Sequence, residues 1–164
     1  MRRRISWRAV VAAVTSLASL APAGGCSLSG LNFREDDRVD IVRPEDRQEV
    51  TLPVTIEWTV RDFDGSFAVF VDRAPPPPGR TVAWLFRNDD GCVAASGCPD
   101  AAYLRSRGIH LTEATQVVVE GVPRLAGDDV RERHRATVVL LDERGERSGE
   151  SAFSVEFEVE REAP

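Results

Sequence analysis

Three cysteines, two histidines and a few neighbouring carboxylates are the side chains of this sequence best placed to do something other than pack. Cys92 and Cys98 enclose Val93-Ala94-Ala95-Ser96-Gly97, and in an oxidising compartment such a pair closes a small loop as a disulfide. Metal binding is the other chemistry open to the two sulfurs, but neither His110 nor His134 lies at a ligand spacing from them. Cys26 is then left over, and an odd cysteine in an exported chain needs a separate purpose.

Nucleophilic catalysis requires a Ser, Thr or Cys activated by a base that a third group orients. His134 is the best base on offer, yet it stands within Arg131-Glu132-Arg133-His134-Arg135 at the start of an apolar run. It reads as a structural or exposed side chain. His110 precedes Leu111-Thr112-Glu113, and the sequence nominates no acidic or hydroxyl partner for it. Asp62 with Asp64, Asp89 with Asp90 and Asp128 with Asp129 each lie beside a Gly in a predicted loop, where Asp favours turns through local hydrogen bonds. Asp62-Phe63-Asp64-Gly65 has a fragment of calcium-loop spacing without the further ligands or the closing Glu. The expectation is no catalytic residue, no metal and no cofactor. An enzyme or small-ligand binder would be favoured instead if Asp62, Asp64, Asp89, Asp90 and Asp100 met His110 or His134 in one pocket.

The elements that must position these residues begin after an export signal. Arg2, Arg3, Arg4 and Arg8 lead into the uncharged residues 9–23 and then Gly24, Gly25 and Cys26, the layout of a secretory signal. Fifteen helical residues span roughly 22 Å, short of the ~30 Å hydrocarbon core, so a permanent transmembrane helix is not expected. The run Ala23-Gly24-Gly25-Cys26 resembles the lipobox of bacterial lipoproteins, with Ala23 where that family usually carries Leu. The resemblance implies a diacylglyceryl group on the Cys26 thiol and cleavage that leaves Cys26 as the new N-terminus. Residues 1–25 are then the signal peptide. An ordinary cut after Ala21-Pro22-Ala23 also fits an A-x-A pattern and would release a soluble protein.

All 21 basic residues are Arg, against 27 acids. Four of those Arg and no acid lie in residues 1–25, so the remainder carries 17 Arg against 27 Asp plus Glu, a formal charge of −10. Such a surface does not seek nucleic acid or anionic headgroups. Residues 26–38 lack periodicity and read as a flexible tether.

Beyond Pro44 the pattern is that of strands. Val54, Ile56, Trp58 and Val60 alternate with Thr55, Glu57 and Thr59, as in a half-buried strand. Residues 67–71 form a second run, ended by the four prolines 75–78, which need an extended connection. Residues 81–86 read as a strand with Val82, Trp84 and Phe86 on one face. Residues 87–108 form a long insertion holding the Cys pair, with one or two helical turns at 101–107. Strands follow at 116–122, 134–141 and 152–159. With a leading strand at 39–42 and a short pairing near 49–52, the chain has about seven strands, which suggests an all-β, two-sheet antiparallel sandwich over residues 39–161.

Val54-Thr55-Ile56-Glu57-Trp58-Thr59 and the late strand pair around the charged turn 142–146 resemble the immunoglobulin-like superfamily, most closely its fibronectin type III branch. The usual corner Tyr is absent, and His134 occupies its neighbourhood. Cys92 and Cys98 are too close in sequence for the inter-sheet disulfide of antibody domains. These readings together lead to the expectation of a non-enzymatic, lipid-anchored module on the extracytoplasmic face of the cell membrane. It would be held there through Cys26 and would meet a protein or cell-wall partner through loops at one end, residues 87–108 above all.

Overall fold

The computed structural model describes residues 36–125 and 131–160. Along the chain come β1 (Val39–Arg43), β2 (Gln48–Val50), β3 (Val54–Val60) and β4 (Ser66–Val71), then a 3-10 helix (Val82–Phe86) and the short helices α1 (Asp90–Val93) and α2 (Ala101–Ser106). Four further strands follow: β5 (Ile109–Thr112), β6 (Gln116–Val119), β7 (Arg131–Leu141) and β8 (Phe153–Glu160). The elements of the described residues are mostly β-strands, with few helices, and the strands form a three-stranded sheet ordered β1-β3-β6 and a five-stranded sheet ordered β2-β8-β7-β4-β5.

Period-two alternation explains how the sheets share a core. Val54, Ile56 and Trp58 of β3 are buried, as are Val155, Phe157 and Val159 of β8, and with Phe67, Val69, Val71, Val138 and Leu140 they form one apolar cluster spanning both sheets. Trp58 lies edge-on to Phe67 at 5.2 Å between ring centroids, a geometry aromatic rings favour.

A second cluster lies on the opposite face of the five-stranded sheet. Ala68 and Phe70 of β4 and Val139 and Leu141 of β7 pack there against Val82, Phe86, Cys92 and Leu104 of the helical segment. This is why β7 is buried on both faces from Ala136 to Leu141 but alternates between buried and exposed from Arg131 to Arg135. Gly108 returns the chain from α2 to β5 with φ +73, and a Cβ there would stand 2.8 Å from the Val71 carbonyl oxygen, a backbone that glycine alone adopts without strain.

The structure corrects several sequence expectations. Residues 81–86 are not a strand: Val82 and Phe86, four apart, face the second cluster from a 3-10 helix, with Trp84 half-buried. So short an apolar run satisfies helical and strand spacing alike. The insertion is a layer over the five-stranded sheet and not a set of loops at one end. There are eight described strands, the added one being β5, whose four residues are too few to show alternation. One pairing, β2 with β8, is parallel. Strand β7 starts at Arg131, three residues early, and β6 ends at Val119, three residues early.

Candidate functional site

His134 occupies the inner face of β7, in the row that continues as Ala136, Val138 and Leu140. Its side chain is fully buried beside the Phe157 ring. Nδ1 lies 2.7 Å from Asp72 Oδ2, and facing a carboxylate oxygen it is the nitrogen that carries hydrogen and donates. Asp72 is fixed in turn. It follows β4 with φ 52, a left-handed conformation Asp tolerates, its N–H donates to the Arg135 carbonyl at 2.9 Å, and its Oδ1 accepts from the Arg135 N–H at 2.9 Å. On the other side of the ring, Nε2 is 3.5 Å from Glu132 Oε2. Glu132 is itself 5% exposed, with Arg124 Nε 3.8 Å from its other oxygen.

This row is the one place where the inner face of β7 is not apolar. What it can do chemically follows from its geometry. The carboxylates stand at different ring nitrogens, so they cannot grip one ion together with the imidazole; among the described residues no group of His, Cys, Asp and Glu is arranged to hold a metal. Nε2 faces the Glu132 carboxylate, so among the described residues no hydroxyl or thiol stands at Nε2 for an Asp72–His134 pair to activate. The arrangement is a polar tie between the end of β4, the start of β7 and the segment carrying Arg124. Outward from it, Arg133 pairs with Glu158 at 3.1 Å and Arg135 with Glu156 at 2.5 Å, each directly across from its partner in the β7–β8 register.

Cys92 and Cys98 are joined as a disulfide. Asp89 caps α1 by accepting from the Cys92 N–H at 3.2 Å, and Asp100 caps α2 by accepting from the Tyr103 N–H at 2.7 Å. The Tyr103 hydroxyl donates to Asp89 Oδ2 at 2.5 Å, and Arg107 reaches both. That phenol bond, ahead of the Cys92 N–H and Arg107, holds the Asp89 carboxyl below the usual range, and Asp89 raises the phenol. The two aspartates are helix caps. The four prolines cross under a separate strap, in which Arg147 donates to the Pro76 carbonyl at 2.8 Å and to the Glu150 and Ser151 carbonyls at 2.6 and 3.2 Å.

The carboxylates expected from the sequence to meet a histidine, Asp62, Asp64, Asp89, Asp90 and Asp100, do not share a cleft with His110 or His134. Asp64 lines a cleft with Glu113 and Asp142, His110 lines a second between α2, β5 and β6, and His134 lines a third with Arg73 and Ser154. Burial, then Arg105, pushes the His110 imidazole down. Asp62 is exposed and Asp90 sits in the first turn of α1. Asp128 and Asp129 lie outside the described residues, as does Cys26. Sequence reasoning missed Asp72 and Glu132. Glu132 was legible, because Arg-Glu-Arg-His-Arg alternates with period two and places Glu132 and His134 together opposite three arginines; Asp72 had no local signal.

Compared with protein-family models, with curated proteins and with solved structures, the chain gives no match in any of the three.

Proposed function

We propose that this protein is a lipid-anchored, extracytoplasmic interaction module of the bacterial cell envelope, built on an immunoglobulin-like sandwich and acting by binding, not by catalysis. The observation that carries the reading is the disulfide. With Cys92 and Cys98 joined to each other, Cys26 is the one cysteine with no cysteine left to pair with, and it stands directly behind Ala23-Gly24-Gly25. A disulfide also fits an oxidising compartment outside the cytoplasm. The immunoglobulin-like assignment is supported by two sheets sharing one core and by Trp58 at its centre. Binding is favoured over chemistry because Asp89 and Asp100 serve as caps and His134 is enclosed by carboxylates.

Substituting Cys26→Ser and fractionating cells tests the anchor. The wild-type protein is expected in the membrane fraction with the added mass of a diacylglyceryl group, and the variant is expected to lose both. An unmodified wild-type mass, or a variant that stays on the membrane, overturns the reading.

A further inference from the structure

Four strands end the two sheets, and they are not equally protected. Strand β2 has three residues, carries Gln48 and Glu49, and is followed closely by Pro53. Strand β1 carries Asp40 and Arg43 and breaks register between Ile41 and Arg43. Short length, charge, proline and irregular register are the usual means of stopping an edge from recruiting another strand. Strands β5 and β6 share only the short length and have none of the other three. Each has four residues, none a carboxylate, Arg or Pro, and among the described residues β5 pairs only with β4 and β6 only with β3.

These two open edges lie side by side. Residues 113–115 join them, carrying the chain from one sheet to the other, and the Thr115 carbonyl accepts from the Trp58 N–H at 3.0 Å. A groove of about 320 Å³ runs between them and α2, lined by Leu104, Arg105, His110, Leu111, Val117 and Val118 among others. Leu111 is 51% and Val118 47% exposed. Arg105 is the permanent charge on the groove wall and has no ion-pair partner among the described residues, while His110 beside it is held toward its neutral form by burial and by Arg105.

We infer that this seam is where the module takes its partner, and that the occupant is an extended segment of another polypeptide. It adds to the open edge by main-chain hydrogen bonds, sets alternate apolar side chains on Leu111 and Val118, and brings an acidic side chain to Arg105. The inference rests on the reading of the protein as an interaction module. An unpaired strand edge is a row of N–H and C=O groups that only another extended backbone matches, and alternate side-chain pockets then supply selectivity. The sign of the partner's charge follows from the groove: within a chain of strongly acidic balance, its one fixed charge is positive.

The test uses the full chain purified in detergent, with three synthetic decapeptides of alternating Val and Thr that carry Asp, Lys or no charge at the centre. Affinity and amide hydrogen exchange are read together. The Asp peptide is expected to bind about fivefold more tightly than the Lys peptide, the scale of an exposed ion pair, and to slow exchange in β5 or β6. Arg105→Glu is expected to reverse the preference while leaving the melting temperature unchanged, and Leu111→Lys with Val118→Lys to abolish binding. Equal binding of the Asp and Lys peptides overturns the inference, as does protection confined to β1 or β2. Concentration-dependent self-association that protects β5 or β6 without peptide also overturns it, by making a second copy the occupant. Because no arm depends on Cys26, failure of the seam is distinguishable from failure of the lipid anchor.

Discussion

On its inner face the five-stranded sheet meets the other sheet through Val69, Val71, Val138, Leu140 and Phe157; on its outer face Ala68, Phe70, Val139 and Leu141 meet three short helical turns. The inner contact is sheet on sheet, with residues 39 to 159 contributing, and contains the larger share of fully buried side chains. The outer contact is made by one continuous segment whose helices of four and six residues are too short to be stable alone. That segment is held by a disulfide, by caps from Asp89 and Asp100, and by the Tyr103–Asp89–Arg107 cluster. The comparison teaches that apolar area supports the inner face, whereas the smaller apolar contact on the outer face is reinforced by local cross-links.

Truncation of the inner face breaks the comparison most severely. Trp58→Ala removes a side chain that is 1% exposed and its edge contact with Phe67, and is expected to cost about 3–5 kcal/mol. Urea denaturation should show the whole domain, helical layer included, melting earlier in one transition. Survival of the outer layer after loss of the inner would mean that the two are independent.

The polar end of the same face comes next. His134→Leu keeps the volume but removes the ring between the buried Glu132 and the Asp72 carboxylate, whose side chain is 16% exposed, and a loss of about 3 kcal/mol is expected. Arg133→Ala, which removes an exposed pair with Glu158, is expected to cost about 0–1 kcal/mol and serves as the control. Equal costs would show that the buried row contributes no more than the surface ladder.

Replacing Cys92 and Cys98 together by Ser is expected to act locally. The entropy model gives roughly 3 kcal/mol for a 15-residue loop and less for a shorter one, so residues 87–108 should become cleavable, near Arg105 or Arg107, while the core still unfolds in one step. Global unfolding would place the disulfide among the main supports of the domain.

The smallest effect is one of acidity. The Asp89 carboxyl titrates below its ordinary value because Tyr103 donates to it, so its contribution is complete above the ordinary carboxylate pKa and fades as the pH falls through the lowered one. Protection from hydrogen exchange at the first turn of α1, taken relative to the intrinsic rate at each pH, should therefore fall on acidification more in the wild type than in Asp89→Asn. An identical acid response in the two would remove the carboxylate from the account.

Strands with long alternating runs were legible, since β3 and β8 place every second residue in the core with no help from context. The disulfide followed from cysteine spacing and count. What sequence did not disclose is what depends on a surface to lie on. Residues 82–86 became a 3-10 helix because Ala68, Phe70, Val139 and Leu141 offer an apolar face for Val82 and Phe86 to cover.

The residues by themselves determined the alternation of β3 and β8 and the pairing of Cys92 with Cys98, because each rests on spacing along the chain. Only the tertiary structure decided that Asp72 meets His134 from 62 residues away, that residues 82–106 lie flat on a sheet, and that β5 and β6 close neither of their outer edges. Those are matters of which distant surface a segment finds. A short segment carries too little periodicity to specify its own form, so the larger surface it lands on imposes one.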